Sequence, residues 1–325
     1  MVSSFLSRKL GLIYARKVPA IAVFVAAVCL AACAVDSGGY VPGDDPGIDV
    51  TLVPVSVIGG AAGLDTSGDL RQLGFAAAVA ARAGRVFVVD SMAGGLVQVD
   101  VFGNDVRLIR ELRDSSTSGL YVTEDLTIYL VDRHSRSVIE MSDSGWERQR
   151  FADPRLIPAP VDVTEINWGS AVVIADELSK RLVLFDSLSN PTGMMNSTLS
   201  PVMSAASIGA IAASNGSVFV LDTASREAVQ LDLQGRPVAT FGEDALLAPV
   251  AIAADPCGRV FVADGHVEGL FVSSYEYQGT NARAALPAEI VAAVTDLWID
   301  GSELYIAAGP FGVYVMAMQP ACMER

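Results

Sequence analysis

Five aspartates recur at nearly even intervals. Asp90, Asp132, Asp176, Asp222 and Asp264 stand 42, 44, 46 and 42 residues apart, and each closes a short apolar run such as "GRVFVVD" or "GSVFVLD". A carboxylate can ligate a metal. One placed directly after a strand also accepts hydrogen bonds from the backbone of the following turn, and five copies in one context favour that structural role. His134 and His266, the only histidines, each lie two residues beyond one of these aspartates. Two histidines are too few for a zinc centre, so no metal set is expected from them, and both are read as exposed loop residues. No Gly-rich phosphate loop, Gly-x-Ser-x-Gly elbow or Cys-x-x-Cys pair is present downstream of residue 33.

The elements that must position these residues follow from the repeat. A sixth run, "SELYIAA", places Ala307 where the aspartate would stand, 43 residues after Asp264. An interval near 43 residues is that of one four-stranded propeller blade. Each unit opens with a small-residue strand ("FAAAVAA" at 75–81, "IGAIAAS" at 208–214), turns tightly, and runs into the strand that ends in aspartate. A polar loop then leads to a third strand that alternates at period 2 ("SVIEMSDSG" at 137–145, "EAVQLDLQG" at 227–235), and a looser fourth strand follows. The fold class expected is all-β, a six-bladed β-propeller, with blades near 75–112, 120–152, 161–199, 208–242, 250–287 and 295–319. The sixth unit lacks a fourth strand. "DVTLVPVSVI" at 49–58 is an orphan strand that can supply it, closing the ring and removing a free edge.

These units resemble NHL-type repeats, best in "VLDTASREAVQLDLQGRPVATFG" (220–242) and "LVDRHSRSVIEMSDSG" (130–145). The resemblance spans residues 75 to about 318, rests on periodicity more than on single residues, and implies a fold rather than an activity.

The N-terminus reads as a targeting segment. Arg8, Lys9, Arg16 and Lys17 precede an apolar stretch, Val18 to Leu30, that is shorter than the roughly 20 residues of a transmembrane helix. It ends in Leu30-Ala31-Ala32-Cys33, which resembles the lipobox of bacterial lipoproteins. That resemblance implies a signal peptide over 1–32, lipidation of Cys33, and a flexible tether over 33–49 ahead of a propeller over 50–325. Ala34 is not the Asp that favours inner-membrane retention in such lipoproteins, so the expected place is the outer membrane, facing the periplasm. Without residues 1–32 the chain keeps 18 basic against 37 acidic side chains, a formal −19. Such a surface repels nucleic acid and anionic headgroups, and only the lipid would hold the chain to a membrane.

Let the top be the face that carries the loops between second and third strands. Cys257 then lies in a first-to-second strand turn of the fifth blade, and Cys322 just follows the third strand of the sixth. Both fall on the bottom of neighbouring blades in an oxidising compartment, so a disulfide between them is expected.

Function is less defined. The candidates for partner binding are loop residues: Phe311 in "GPFG" (309–312), His134 and Arg136 in the basic island "DRHSRS" (132–137), His266, and with less support Tyr121, Trp146 and Trp168. Propeller lactonases hold calcium with acids near the top of the channel, where Asp162 and Asp296 are the only acids expected. Glu124, Glu165, Asn215, Asp255 and Asp300 fall near the bottom turns. The leading expectation is a lipid-anchored envelope scaffold or binding module without catalysis, docking envelope proteins in an assembly, secretion or surface-polymer system. No cofactor is expected beyond that calcium ion. The alternatives are a calcium-dependent lactonase-like hydrolase, or a binder of sugars or small ligands at the channel mouth.

Overall fold

A computed structural model of the chain describes residues 50–59, 73–100, 106–112, 119–166, 170–195, 207–265, 269–274 and 281–322. Cys33, the tether, Trp168 and His266 lie outside the described residues. Strand β1 (Thr51–Ile58) comes first and is followed by blade 1, β2 to β5 (Ala76–Arg82, Arg85–Asp90, Gly95–Asp100, Val106–Glu111). Blade 2 holds β6 to β9 (Leu120–Val122, Ile128–Asp132, Ser137–Met141, Glu147–Phe151), and blade 3 holds β10 to β13 (Pro160–Ile166, Ala171–Asp176, Arg181–Phe185, Pro191–Met194). Blade 4 is β14 to β17 (Ile208–Ser214, Ser217–Asp222, Glu227–Asp232, Pro237–Phe241), and blade 5 is β18 to β21 (Pro249–Ala254, Arg259–Asp264, Leu270–Ser274, Asn281–Ala284). Blade 6 begins with β22 to β24 (Asp296–Asp300, Glu303–Ala307, Val313–Gln319). Each blade is a separate four-stranded antiparallel sheet, and the sixth runs β22-β23-β24-β1. This is the six-bladed propeller expected from the repeat, closed by the N-terminal strand. Among the described residues no helix is long and apolar enough to cross a membrane.

The core lies between blades rather than within them. In β3, Val86 and Val88 pack toward β23 and β24 of blade 6, whereas Phe87 and Val89 pack toward blade 2. The same division of alternate residues builds a core at every seam of the ring. Second strands are therefore buried on both faces, which is why they read as unbroken apolar runs. The fully buried Phe87, Phe219 and Phe261 each contribute roughly 1.5–3 kcal/mol by leaving water.

The register of β1 fixes where the chain enters the ring. Thr51 stands opposite Gln319 and Ile58 opposite Val313, so β1 starts at the bottom and ends at the top. Pro54, which has no N–H to donate, is tolerated because β1 is the outermost strand. At the same bottom face Cys257 is bonded to Cys322, with Cα atoms 5.6 Å apart. Arg259 reinforces this clamp: its guanidinium pairs with Asp255 at 2.6 Å and donates to the Pro320 carbonyl at 3.0 Å.

The recurrent aspartates are structural. Asp90 accepts from the backbone N–H groups of Gly74, Phe75, Met92 and Ala93, which ties the entry of β2 to the turn after β3. Asp222 and Asp264 likewise bind the segments leading into β14 and β18, and Asp176 binds Ala159 and Ser179. Asp132 is engaged by Ser135 and Arg150 instead. One alignment is corrected by a residue. Asp162 opposes Ala175 just as Asp296 opposes Ala307, so the counterpart of Asp176 in blade 6 is Ala308 rather than Ala307. The run "SELYIAA" itself occupies 302–308 and so ends at Ala308.

Candidate functional site

The top face presents part of the predicted docking set. Phe311 is 38% exposed on a tight loop in which Phe311 N donates to the Ala308 carbonyl at 2.9 Å and Ala308 N donates to the Gly312 carbonyl at 2.8 Å. His134 and Arg136 are exposed on the loop of blade 2, where Arg136 holds a left-handed φ of 54°. The structure does not bring them to Phe311, because blade 1 stands between blades 2 and 6. Other exposed apolar side chains share the face of Phe311 instead. Met92, 76% exposed on blade 1, and Leu247 and Val250 at the top of blade 5 are exposed on the same face. With Phe311 they form an arc over blades 5, 6 and 1, and Leu178 is exposed on the same face in blade 3. The bond from Ala76 N to the Gly309 carbonyl, 2.9 Å, fixes the Phe311 loop against blade 1. Two further predicted aromatics stand elsewhere. Trp146 is exposed but follows the third strand of blade 2, on the bottom. Tyr121 is partly buried in the channel wall.

The first strands of all six blades line the channel, and two of them carry acids. Asp162 Oδ2 accepts from Ile211 N of blade 4 at 2.7 Å, and its Oδ1 from Val163 N at 2.8 Å. Asp296 repeats this across the axis, with Oδ2 taking Val79 N of blade 1 at 3.0 Å and Oδ1 taking Leu297 N at 2.8 Å. Blades 1, 4 and 5 have Ala78, Ala210 and Ala251 at the matching register. The two carboxylates thus staple opposite seams of the ring, and every oxygen already has a backbone donor. Burial pushes Asp162 up to about 7 despite its two N–H partners. Burial also raises Asp296 well above the carboxylate range, with the charge of Asp162 adding to the effect. Among the described residues no three His, Cys, Asp or Glu side chains converge as a ligand set.

The channel widens toward the bottom. A cavity of about 180 Å³ along the axis adjoins one of about 500 Å³ beneath blades 1 to 3, and Arg82, Tyr121 and Glu124 belong to both. Tyr121 meets Trp298 edge to face at 5.2 Å, and the Arg82 guanidinium lies 5.9 Å from the Trp298 ring while pairing with Asp300 at 2.8 Å. Trp298 Nε1 donates to the Ala81 carbonyl at 2.7 Å, which holds the indole at the seam. Sequence reasoning placed Glu124 and Glu165 near these bottom turns but sought the site at the other end. No local signal marks the mouth, because its residues come from separate blades.

No protein-family model matches this chain, and no curated protein matches it. Solved structures do. A streptogramin B lyase structure aligns over 83% of this chain and 98% of its own, with a TM-score of 0.57 at 12% identity. Virginiamycin B lyase from Staphylococcus aureus aligns over 80% of this chain and 82% of its own, with a TM-score of 0.56 at 10% identity. A protein of unknown function from Bacteroides thetaiotaomicron reaches a TM-score of 0.59 at 15% identity, over 83% of this chain and 77% of its own. At such identities the likeness shows the propeller fold alone.

Proposed function

We propose that the chain is a lipid-anchored cell-envelope module, without catalysis of its own, that docks another envelope protein on its top face, in an assembly, secretion or surface-polymer system. The observation that carries this reading is the row of exposed apolar side chains on that face, Leu247, Val250, Phe311 and Met92, across three consecutive blades. Apolar side chains gathered on one face of a rigid scaffold, an aromatic among them, suit a docking surface. A tether reaching Thr51 would join the ring at the bottom, on the face opposite Phe311. The lyase neighbours lend the ring and not their chemistry. A calcium-dependent hydrolase would need ligands beyond Asp162 and Asp296, each oxygen of which already accepts from one backbone N–H.

The test is fractionation of cells producing the tagged full-length chain. Wild type should sediment with outer membranes and carry its partner through mild-detergent purification. Cys33→Ser should move to the soluble fraction, and Phe311→Asp should stay on the membrane but lose the partner. Membrane retention of Cys33→Ser would refute the anchor, and an unchanged partner on Phe311→Asp would refute the docking face.

A further inference from the structure

The cavity beneath blades 1 to 3 has a chemistry of its own. Four of its lining residues are acidic (Glu124, Asp125, Glu140 and Glu165) against two arginines. Most of these charges are already engaged. Asp125 is held by Thr123 and Thr127, Glu140 by Gln149, Arg148 by Thr127 at 2.7 Å, and Arg82 by Asp300 through one terminal nitrogen, while its Nε is buried without a partner. The side chains of Glu124 and Glu165 have no hydrogen bond or ion pair among the described residues. Tyr129 is only 8% exposed, its ring fixed against Phe151 and Tyr121, yet its hydroxyl makes no hydrogen bond among the described residues although the side chain lines the cavity. The Tyr121 hydroxyl is likewise unpartnered.

Both hydroxyls open on the cavity and are left free to bond a ligand. What these four side chains share is the capacity to accept. Two carboxylates and two phenols around aromatic walls complement a compact cation that carries several N–H donors.

We propose that this bottom mouth is a binding site for a small primary amine, its ammonium group held by Glu124 and Glu165 with the Tyr121 and Tyr129 hydroxyls as further acceptors. The electrostatics agree. Burial first, and then the charges of Asp125, Glu124 and Glu140, push Glu165 up to about 7. This site lies on the face opposite the apolar arc and is independent of it.

The experiment is isothermal titration calorimetry of the folded chain, at pH 8 and low salt, with two amines and their neutral counterparts: D-glucosamine against D-glucose, and 1,4-diaminobutane against 1,4-butanediol. At least one amine should bind at least about tenfold more tightly than its counterpart, as charge-assisted bonds require. Glu124→Gln with Glu165→Gln should weaken it by about tenfold or more. A control removing two exposed acids on the top, Glu243→Gln with Asp244→Asn, should bind as wild type does, and so should Phe311→Asp. The proposal is overturned if neither amine binds more tightly than its counterpart, if the double glutamine variant binds unchanged, or if the control loses binding equally, which would reduce the effect to net charge. Because glutamine removes mutual repulsion without removing volume, the variant should stay folded, and circular dichroism checks this.

Discussion

Replacing Cys257 and Cys322 together by serine should lower the unfolding free energy by about 4 kcal/mol, the chain-entropy value for a bridge spanning 65 residues. The effect acts first on the unfolded chain, which loses the constraint. It also acts on the closure, because Cys322 follows the strand that holds β1 in blade 6. The double substitution avoids leaving an unpaired thiol. Urea unfolding of wild type and variant, each with and without reductant, measures the loss. The midpoint of wild type should fall to that of the variant when reductant is added, and the variant should not respond. A loss under about 1 kcal/mol would mean that the Arg259 contacts and the β1 pairing close the ring unaided.

The channel acids give the second large effect, and its sign follows from the direction of their shifts. An aspartate in an unfolded chain ionises near 3.9, whereas Asp162 in the ring keeps its proton up to about 7. Between those values the folded state binds a proton that the unfolded state has released. The stability from this group is therefore complete below about pH 4 and is lost as pH rises toward 7, on the order of 4 kcal/mol over about three units. Asp296 adds loss of the same sign. Asp162→Asn removes the titration but offers one acceptor to the two N–H groups of Val163 and Ile211, at a cost of roughly 1–3 kcal/mol. The variant should be the less stable protein at pH 4.5 and should equal or exceed wild type at pH 8. Denaturation series at both values decide the matter. Parallel pH profiles for the two proteins would show that Asp162 is ionised in the ring throughout.

The blades, the closing strand and the disulfide were legible because each rests on a local or periodic feature. Second strands buried on both sides announce themselves, and the aspartate that ends each one marks the same height in five blades. Given that frame, the placement of Cys257 and Cys322 on one face followed from strand direction alone. The bottom mouth was illegible for the opposite reason. Arg82 and Glu165 stand near the ends of β2 and β10 and Glu124 just beyond β6, and nothing in the order of residues says that their side chains share a cavity. Tyr121 was read as a loop aromatic, but it stands in the short first strand of blade 2, Leu120–Val122, and lines the channel. The docking arc was half visible. Phe311 sits in an obvious loop, but Met92 and Leu247 become its companions only when the ring closes and blades 6 and 1 meet.

The most direct test of the central claim, a docking face on the top of the ring, is crosslinking in living cells. A photoreactive phenylalanine analogue would replace Phe311 on the top face, and Trp146 on the bottom in a parallel strain. The account predicts one discrete heavy adduct from position 311 and none of that mass from position 146. The same adduct from both positions, or none from 311, would contradict it.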